Sequence, residues 1–334
     1  MPSPSIDIAT LIKSQAENLG FDACGFAAAT PVDDEAVARY DRWIEQGYNG
    51  CMQWTTGHRD LRRDPALLLD GAKTVISLAL NYYPASFQPE GTLRVAYYAY
   101  GRDYHEVLRE KLSELAQFIR QITGCETRPC VDSAPMRERY WAQRAGLGFI
   151  GRNNCLIIPG KGSFFFLGEI VTTAQLPPDE PCLMSCGDCG KCIDACPTGA
   201  LDAEGAVDCN RCLSCLLIEN HAEQLPAWVG EAAGERVVGC DECQIVCPHN
   251  ANAVATAVAD FTPDQVVFSL TRDSIDRMTN GDFRRTFAHS AIARLRLKTL
   301  RRNSRLTQFP LTEAGQDTNH PSADNHRNAN GQDE

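Results

Sequence analysis

From residue 1 to 175 the apolar positions switch between helical and strand spacing, and the switches predict the elements. Ile8, Leu11, Ile12, Ala16 and Leu19 recur every three to four residues, which predicts a helix from Ile6 to Leu19 stopped by Gly20. Phe21 to Ala27 follows as a strand. A second amphipathic helix is predicted from about Asp33 to Gln46, with Val37, Tyr40 and Ile44 toward a core. His58 to Asp70, charged and turn-rich, reads as a surface loop. Thr74 to Tyr82 predicts a buried strand through Val75, Ile76, Leu78 and Leu80, and the tyrosine-rich stretch Arg94 to Tyr100 predicts another.

Asp103 and Glu106 form a capping-box-like start for a helix reaching about Ile122, so Asp103 reads as structural. His105, in the first turn, reads as a solvated histidine, although an anion or cofactor could approach it there. Cys130 to Pro135 ends a short strand and opens a helix to about Ala145, with Asp132 or Ser133 as its cap. Leu156 to Pro159, the turn Pro159-Gly160-Lys161-Gly162 and Ser163 to Thr173 read as a hairpin, and the run Phe164 to Phe166 reads as core. The fold class is α+β, with a mixed sheet flanked by helices. The Pro-rich stretch 175–181 is a linker. Domains are expected at 1–175, 176–255 and 256–311, with two helix-like stretches in the last and a disordered polar tail at 312–334.

A chain of 334 residues with 43% hydrophobic content suits two or three domains. No run approaches the roughly 18 apolar residues of a membrane span, so no membrane partner is expected. Met1 to Thr10 has neither a basic n-region nor a twin-arginine signal, which predicts a cytoplasmic location. The net charge of -11 argues against a polyanionic partner, but its distribution does not. From Phe283 to Thr312 there is no Asp or Glu, while Arg284, Arg285, Arg294, Arg296, Lys298, Arg301, Arg302 and Arg305 are all cationic. Helical spacing from Ala288 to Leu306 would gather Arg294, Lys298, Arg301 and Arg305 on one side as a phosphate-binding stripe, where the bland alternative is a solvated face.

The strongest chemical signal is Cys186, Cys189, Cys192 and Cys196 followed by Pro197, the C-x2-C-x2-C-x3-C-P spacing of two-cluster ferredoxins. Cys240, Cys243 and Cys247 with Pro248 repeat its last three positions. In such runs the fourth cysteine serves the other cubane. Cys186, Cys189, Cys192 and Cys247 then hold cluster one, and Cys196, Cys240, Cys243 and one of Cys209, Cys212 or Cys215 hold cluster two. Structural zinc gives no reason for the repeated C-x3-C-P ending, and disulfides do not suit a reduced compartment. No G-x-G-x-x-G follows a strand and no G-x-x-x-x-G-K-[ST] occurs, so neither a Rossmann site nor a P-loop is supported.

Taken together, L-N-Y-Y at 80–83, Y-G-R-D-Y-H at 100–105, V-D-S-A-P at 131–135, R-A-G-L-G-F-I-G-R-N at 144–153, G-S-F-F-F-L-G-E-I at 162–170 and the cysteine runs resemble the epoxyqueuosine reductases. The resemblance covers about residues 5 to 305. It implies a cobalamin-dependent iron-sulfur enzyme that performs the last step of queuosine formation on tRNA. It also implies a cobalamin-binding N-terminal domain, a ferredoxin-like module and a helical C-terminal portion that helps to hold the tRNA. By the family's R-C-x-S-Y-L-T-I-E stretch, Cys212 becomes the fourth ligand of cluster two, leaving Cys209 and Cys215 spare. Asp132 matches the family's proton donor. Arg62, Arg152, Ser163, Ser214 and Asp241 fall in stretches that in similar proteins lie near the corrin. Cys215 stands where tyrosine is usual, Phe149 and His249 where tryptophan is common, and Arg152 where lysine is common. No D-x-H-x-x-G occurs, so a base-off cofactor without a protein ligand is expected.

The chemistry so implied delivers electrons from a low-potential donor through two clusters to cobalamin, which opens the epoxide. Asp132 gives a proton as general acid, with its pKa raised in an apolar pocket. The rivals are a cobalamin-dependent reductive dehalogenase, which usually carries the export signal this chain lacks, and a ferredoxin-type electron-transfer subunit. The latter leaves the N-terminal domain and the basic C-terminal stretch without a role.

Overall fold

The computed structural model describes residues 7–307, and the tail expected at 312–334 lies outside them. The strands among the described residues are β1 Ala23–Ala28, β2 Thr74–Asn81, β3 Arg94–Val95, β4 Thr127–Cys130, β5 Phe149–Ile150, β6 Leu156–Ile157, β7 Phe165–Thr172 and β8 Arg236–Val238. The principal sheet has the order β1-β2-β7-β4, and every pairing in it is antiparallel. Period-2 alternation divides its side chains between two faces. Phe26, Ile76, Leu78, Leu80, Phe166 and Ile170 pack with Ile12 and Ala16 of helix Ile8–Asn18 and with Leu108, Leu112, Leu115 and Ile119 of helix Tyr104–Thr123. Val75, Ala79 and Val171 pack on the other face with Trp141 and Ala142 of helix Glu138–Arg144. Because both faces are covered, β2 is buried along its whole length. Gly25 permits the close approach on the second face, since a β-carbon there would lie 2.0 Å from the carbonyl oxygen of Ala145.

A second core joins distant parts of the chain. Leu93, Val95, Ala99 and Tyr100 pack with Val237 and Val238 and with Phe283, Phe287, Ile292, Leu295 and Leu300. The short parallel pair β3–β8 ties the N-terminal half to the cysteine-rich segment. Helix Arg296–Leu306 is anchored by the buried Asn303, whose Nδ2 donates to the carbonyl oxygens of Leu217 and Val237, both at 2.8 Å. Leaving such a buried carbonyl unpaired costs about 1–3 kcal/mol.

The α+β reading holds, and its departures have local causes. Only Arg94–Val95 of the predicted strand 94–100 is extended; the chain then turns into a 3-10 helix, Tyr97–Ala99. The Tyr97 N–H donates to the Asp241 carboxylate at 2.9 Å instead of to a strand. The Pro-Gly-Lys-Gly turn closes only a single bridge, Ile158 to Gly162, after which β7 runs between β2 and β4. The hairpin partner of β6 is β5. The surface loop 58–70 contains a helix, Arg59–Arg63, and a 3-10 turn, Pro65–Leu67. In the predicted second helix, Asp34–Glu45, Ala36 is buried while Val37, Tyr40 and Ile44 are half-buried.

Neither Asp132 nor Ser133 caps the next helix, which starts at Glu138 after an irregular turn. The C-terminal region has more and shorter pieces than two helices: Gln265–Phe268, Arg272–Arg277, Asn280–Thr286, a 3-10 segment Ala291–Leu295, and Arg296–Leu306. Arg296, at φ 65, separates the last two, so 288–306 is not one helix.

Candidate active site

The start of helix Tyr104–Thr123 is built around Asp103. Its Oδ1 accepts the His105 N–H at 3.0 Å and lies 2.7 Å from His105 Nδ1, while its own N–H donates to the His289 carbonyl at 2.6 Å. Tyr104 stacks between His105 and Phe166, with centroids at 4.0 and 4.3 Å. His105 is therefore buried and fixed, which overturns its reading as a solvated residue. Its Nε2 lies 2.7 Å from Asp132 Oδ2. Arg294 Nη1 reaches the same Oδ2 at 3.2 Å and approaches Nε2 to 2.6 Å.

These contacts decide who carries the proton. Burial disfavours the imidazolium, but the hydrogen bonds and charges of Asp103 and Asp132 outweigh it and push His105 up to about 9. At neutral pH the ring is thus protonated, and the close Arg294–His105 approach is two donors converging on one acceptor, Oδ2. For Asp132 burial pushes upward, yet the hydrogen bond and charge of His105, followed by those of Arg294, hold the carboxyl below its ordinary value. The expected raised aspartic acid is corrected accordingly. In this geometry Asp132 is the acceptor end of an Asp103–His105–Asp132 chain, and the transferable proton sits on His105.

Tyr98 links this group to the cysteine segment: Tyr104 packs edge-on to it at 6.2 Å, and a β-carbon on Gly239, next to Cys240, would lie 3.3 Å from its ring. Asp241 lies between Cys240 and Cys243, and burial pushes its carboxyl up to about 7. Ser163 is buried, with its Oγ accepting from Asn250 Nδ2 at 2.9 Å and Gln244 Nε2 at 3.2 Å. Ser214 is half-buried in helix Leu213–Ile218. Arg152 Nη1 donates to the Cys189 carbonyl at 3.2 Å. Arg62 stands apart in a cleft with Tyr40, Asp41, Arg59, Arg63 and Arg137, and its guanidinium lies 5.7 Å from the Trp54 ring.

Cys186, Cys189, Cys192 and Cys247 line one cavity together with Arg152, Asn153, Ile157, Pro248 and His249. The second run thus sends its last cysteine to the first. Cys240 and Cys243 each feel the charge of Cys212. Cys215 lies against both Cys209 and Cys212, and its hydrogen bond brings Cys212 down to about 6. The Cys196 sulfur accepts the Ala200 N–H at 3.3 Å. Cys209 is buried, its N–H on the Tyr48 carbonyl at 2.8 Å.

The family profile described as Epoxyqueuosine reductase QueG, DUF1730 matches residues 62–133, and the 4Fe-4S double cluster binding domain matches 185–250. An epoxyqueuosine reductase of Gloeobacter violaceus is 43% identical over 303 residues, covering 89% of this chain and 94% of the relative. The chain belongs to the epoxyqueuosine reductase family. Its iron-sulfur double-cluster segment and its oxidoreductase class follow from that membership. Two solved members superpose closely, each covering 90% of this chain and 80% of its own. One, with an epoxyqueuosine-modified tRNA-Tyr stem loop, has TM-score 0.82 at 31% identity; the other, from Bacillus subtilis with its catalytic aspartate loop swung out of the active site, has TM-score 0.81 at 30%.

Within this epoxyqueuosine reductase family member, three departures from the usual pattern share one place. Phe149 is fully buried and meets His249 edge-on at 5.4 Å, and both His249 and Arg152 line the cavity of the first cysteine set. The four cations proposed for tRNA do not share an open face. Arg294 is in the Asp132 group, Lys298 pairs with Glu223 at 2.6 Å, and Arg305 pairs with Asp276 at 3.0 Å. Arg301 donates to the carbonyls of Ile275, Asp276 and Met278. Sequence reasoning missed Glu138, whose Oε1 accepts the Asp132 N–H at 2.7 Å, and the fully buried Glu169. Glu169 had the signal of a carboxylate inside an otherwise apolar run, whereas Glu138, flanked by Arg137 and Arg139, had none.

Proposed function

We propose that this chain reduces epoxyqueuosine to queuosine in the anticodon loop of tRNA. Removing the epoxide oxygen as water consumes two electrons and two protons. Cobalamin, when bound, would supply the reduction, with electrons from an unidentified low-potential donor. Cys186, Cys189, Cys192 and Cys247 would hold one 4Fe-4S cluster, and Cys196, Cys212, Cys240 and Cys243 the other. Thiolate sets ending in C-x3-C-P suit cubanes. Arg62, Arg152, Ser163, Ser214 and Asp241 would hold the corrinoid. The Arg62 cleft supports the fit, because the buried Nε of its neighbour Arg137 has no partner among the described residues and an amide- and phosphate-bearing cofactor supplies acceptors.

The observation that carries the reading is the Asp103–His105–Asp132 chain, a stored proton in contact with Arg294, with Tyr104 and Tyr98 packed between it and the segment that carries Cys240. Asp132 orients the imidazolium, takes its proton and passes it to the leaving oxygen, and solvent supplies the second proton. Tyr104 and Phe166 keep the ring in place and exclude water behind it. Arg294, Lys298, Arg301 and Arg305 contact the RNA or support the segment that does. No helix among the described residues is long and apolar enough to cross a membrane.

The test is anaerobic protein reconstituted with iron, sulfide and cobalamin, supplied with a chemical reductant and precursor tRNA, followed by nucleoside analysis. Queuosine is expected. Corrin absorption beside the cluster bands without any product would instead favour a dehalogenase-type substrate, and absence of corrin binding would leave only an electron-transfer subunit.

A further inference from the structure

The turn that presents Asp132 is held by little of its own. Asp132 has φ 35, a conformation L-residues avoid, and the helix after it starts with no side-chain cap. Its N–H donates to Glu138 Oε1 at 2.7 Å, from the first residue of helix Glu138–Arg144. That helix cannot shift freely, because Trp141 and Ala142 are locked into the core on the principal sheet. One end of the contact is therefore rigid and the other strained.

A second carboxylate lies beneath. The register of β4 on β7 places Cys130, two residues before Asp132, opposite Glu169, and the register of β2 on β7 places Ser77 on its other side. Glu169 is fully buried, and neither its oxygens nor Ser77 Oγ has a hydrogen-bond partner among the described residues. A carboxyl so placed is neutral: burial and then the Glu138 charge push it well above its ordinary range. The charged and titratable groups facing Glu138 are Asp132 from the turn, Arg139 from its own helix, Tyr104 and His105 from helix Tyr104–Thr123, Cys130 from β4 and Glu169 from β7. Burial and the Asp132 charge push Glu138 up to about 7, so its charge appears as pH rises through neutrality, with Glu169 remaining protonated beside it.

We propose that Glu138 is the positioning residue of the catalytic turn, a latch whose carboxylate holds Asp132 where its Oδ2 meets His105 and Arg294. The proposal rests on the reading of Asp132 as proton donor. The latch acts through the backbone, not on the substrate, and it tightens as Glu138 ionises.

The experiment is a double-mutant cycle of Glu138→Ala and Asp132→Asn, with Glu138→Gln alongside, on reconstituted holoenzyme. Single-turnover rate on precursor tRNA, iron content, and amide hydrogen exchange of residues 131–137 are measured. Glu138→Ala is expected to slow turnover by about 10²-fold, the usual consequence of a small misplacement at a reacting centre, with iron content unchanged and exchange in 131–137 faster. Glu138→Gln, which retains an acceptor, recovers most of the rate but loses the limb of the pH–rate profile near neutrality. In the Asp132→Asn background Glu138→Ala costs nothing further in rate.

Equal slowing in both backgrounds, or unchanged exchange in Glu138→Ala, overturns the latch. Should the alanine variant lose iron, the glutamine variant decides: an unaltered pH profile overturns the latch and a lost limb supports it. Full activity in Asp132→Asn alone removes the proton-donor reading, and the exchange measurement still judges the latch.

Discussion

The cysteine-rich segment and the Asp132 group are the two chemical centres of this chain, and they are specified in opposite ways. Between 185 and 250 seven of the eight candidate ligands fall in two runs spaced at three- and four-residue intervals, since most of the sulfurs of each cubane come from one short loop and the remainder from the other run or between them. Asp103, Asp132, Glu138 and Arg294 meet only because a helix start, a strained turn, a second helix and a C-terminal 3-10 segment are fixed by separate cores. Ligation chemistry writes itself into spacing, whereas this proton chemistry depends on tertiary packing. The first centre should therefore answer to metal and the second to single side chains.

The largest effect is expected from breaking the first. Anaerobic protein should hold about eight irons, and Cys212→Ser should lose about four of them. Cys209→Ser and Cys215→Ser should lose almost none, because Cys209 is already committed to the interior beside Tyr48. Iron and sulfide assays with the cluster absorption decide this. Full iron in Cys212→Ser with loss in Cys209→Ser would move the ligand, and with it the choice that the family resemblance made among three cysteines that spacing leaves open.

The same contrast explains what was legible beforehand. The sheet strands at 74–81 and 165–172 could be read because their apolar runs are long, and the two cysteine runs because their intervals are diagnostic, although spacing alone left Cys209, Cys212 and Cys215 undecided. Arg94 to Tyr100 could not, because the Asp241 carboxylate that takes the Tyr97 N–H lies 144 residues away. His105 looked solvated for a similar reason: the partner that buries it, Asp132, is 27 residues on, across a turn with no regular pattern. The supposed helix from 288 to 306 failed at Arg296, whose positive φ no periodicity reveals.

The second centre is broken most sharply by Asp132→Asn. The amide keeps the shape of the side chain and leaves the backbone bond to Glu138 intact, so fold, iron content and cobalamin binding should persist. Turnover should fall by about 10²- to 10⁴-fold, the range for losing a general acid. Single-turnover nucleoside analysis measures it, and a rate within a few-fold of the parent would return Asp132 to a structural role.

A smaller effect tests where the proton is stored. His105 is pushed up to about 9 from 6.5, so its charged-state stabilisation is fully present below about pH 6.5 and disappears as pH rises through about 9. The stability difference between the parent and His105→Asn, from denaturant unfolding of the same cofactor-loaded state, should shrink over that window and be flat below it. A difference that grows with pH would mean the ring is neutral in the folded protein, and Asp132 would lose its proton source.

The smallest and most distributed effects belong to the cationic C-terminal segment, and they test whether it serves RNA or the proton centre. Arg294, Lys298, Arg301 and Arg305 cannot act as one stripe, given the break at Arg296 and the carbonyls that Arg301 already satisfies. Lys298 and Arg305 have exposed side chains, 67% and 66%, and only surface partners in Glu223 and Asp276, pairs of little intrinsic worth. An RNA phosphate can displace such partners easily. Lys298→Gln and Arg305→Gln should therefore each lower the salt slope of tRNA binding by about one unit or slightly less and leave single-turnover chemistry nearly unchanged. Arg301→Gln should instead reduce stability, because it leaves the turn carbonyls at 275–278 without their donor. Arg294→Gln separates the two centres most finely: its guanidinium shares Asp132 Oδ2 with His105, so its loss should change the pH–rate profile as well as the salt slope. A changed salt slope with an unmoved profile would assign Arg294 to RNA alone, and the proton centre would then consist of Asp103, His105 and Asp132 without it.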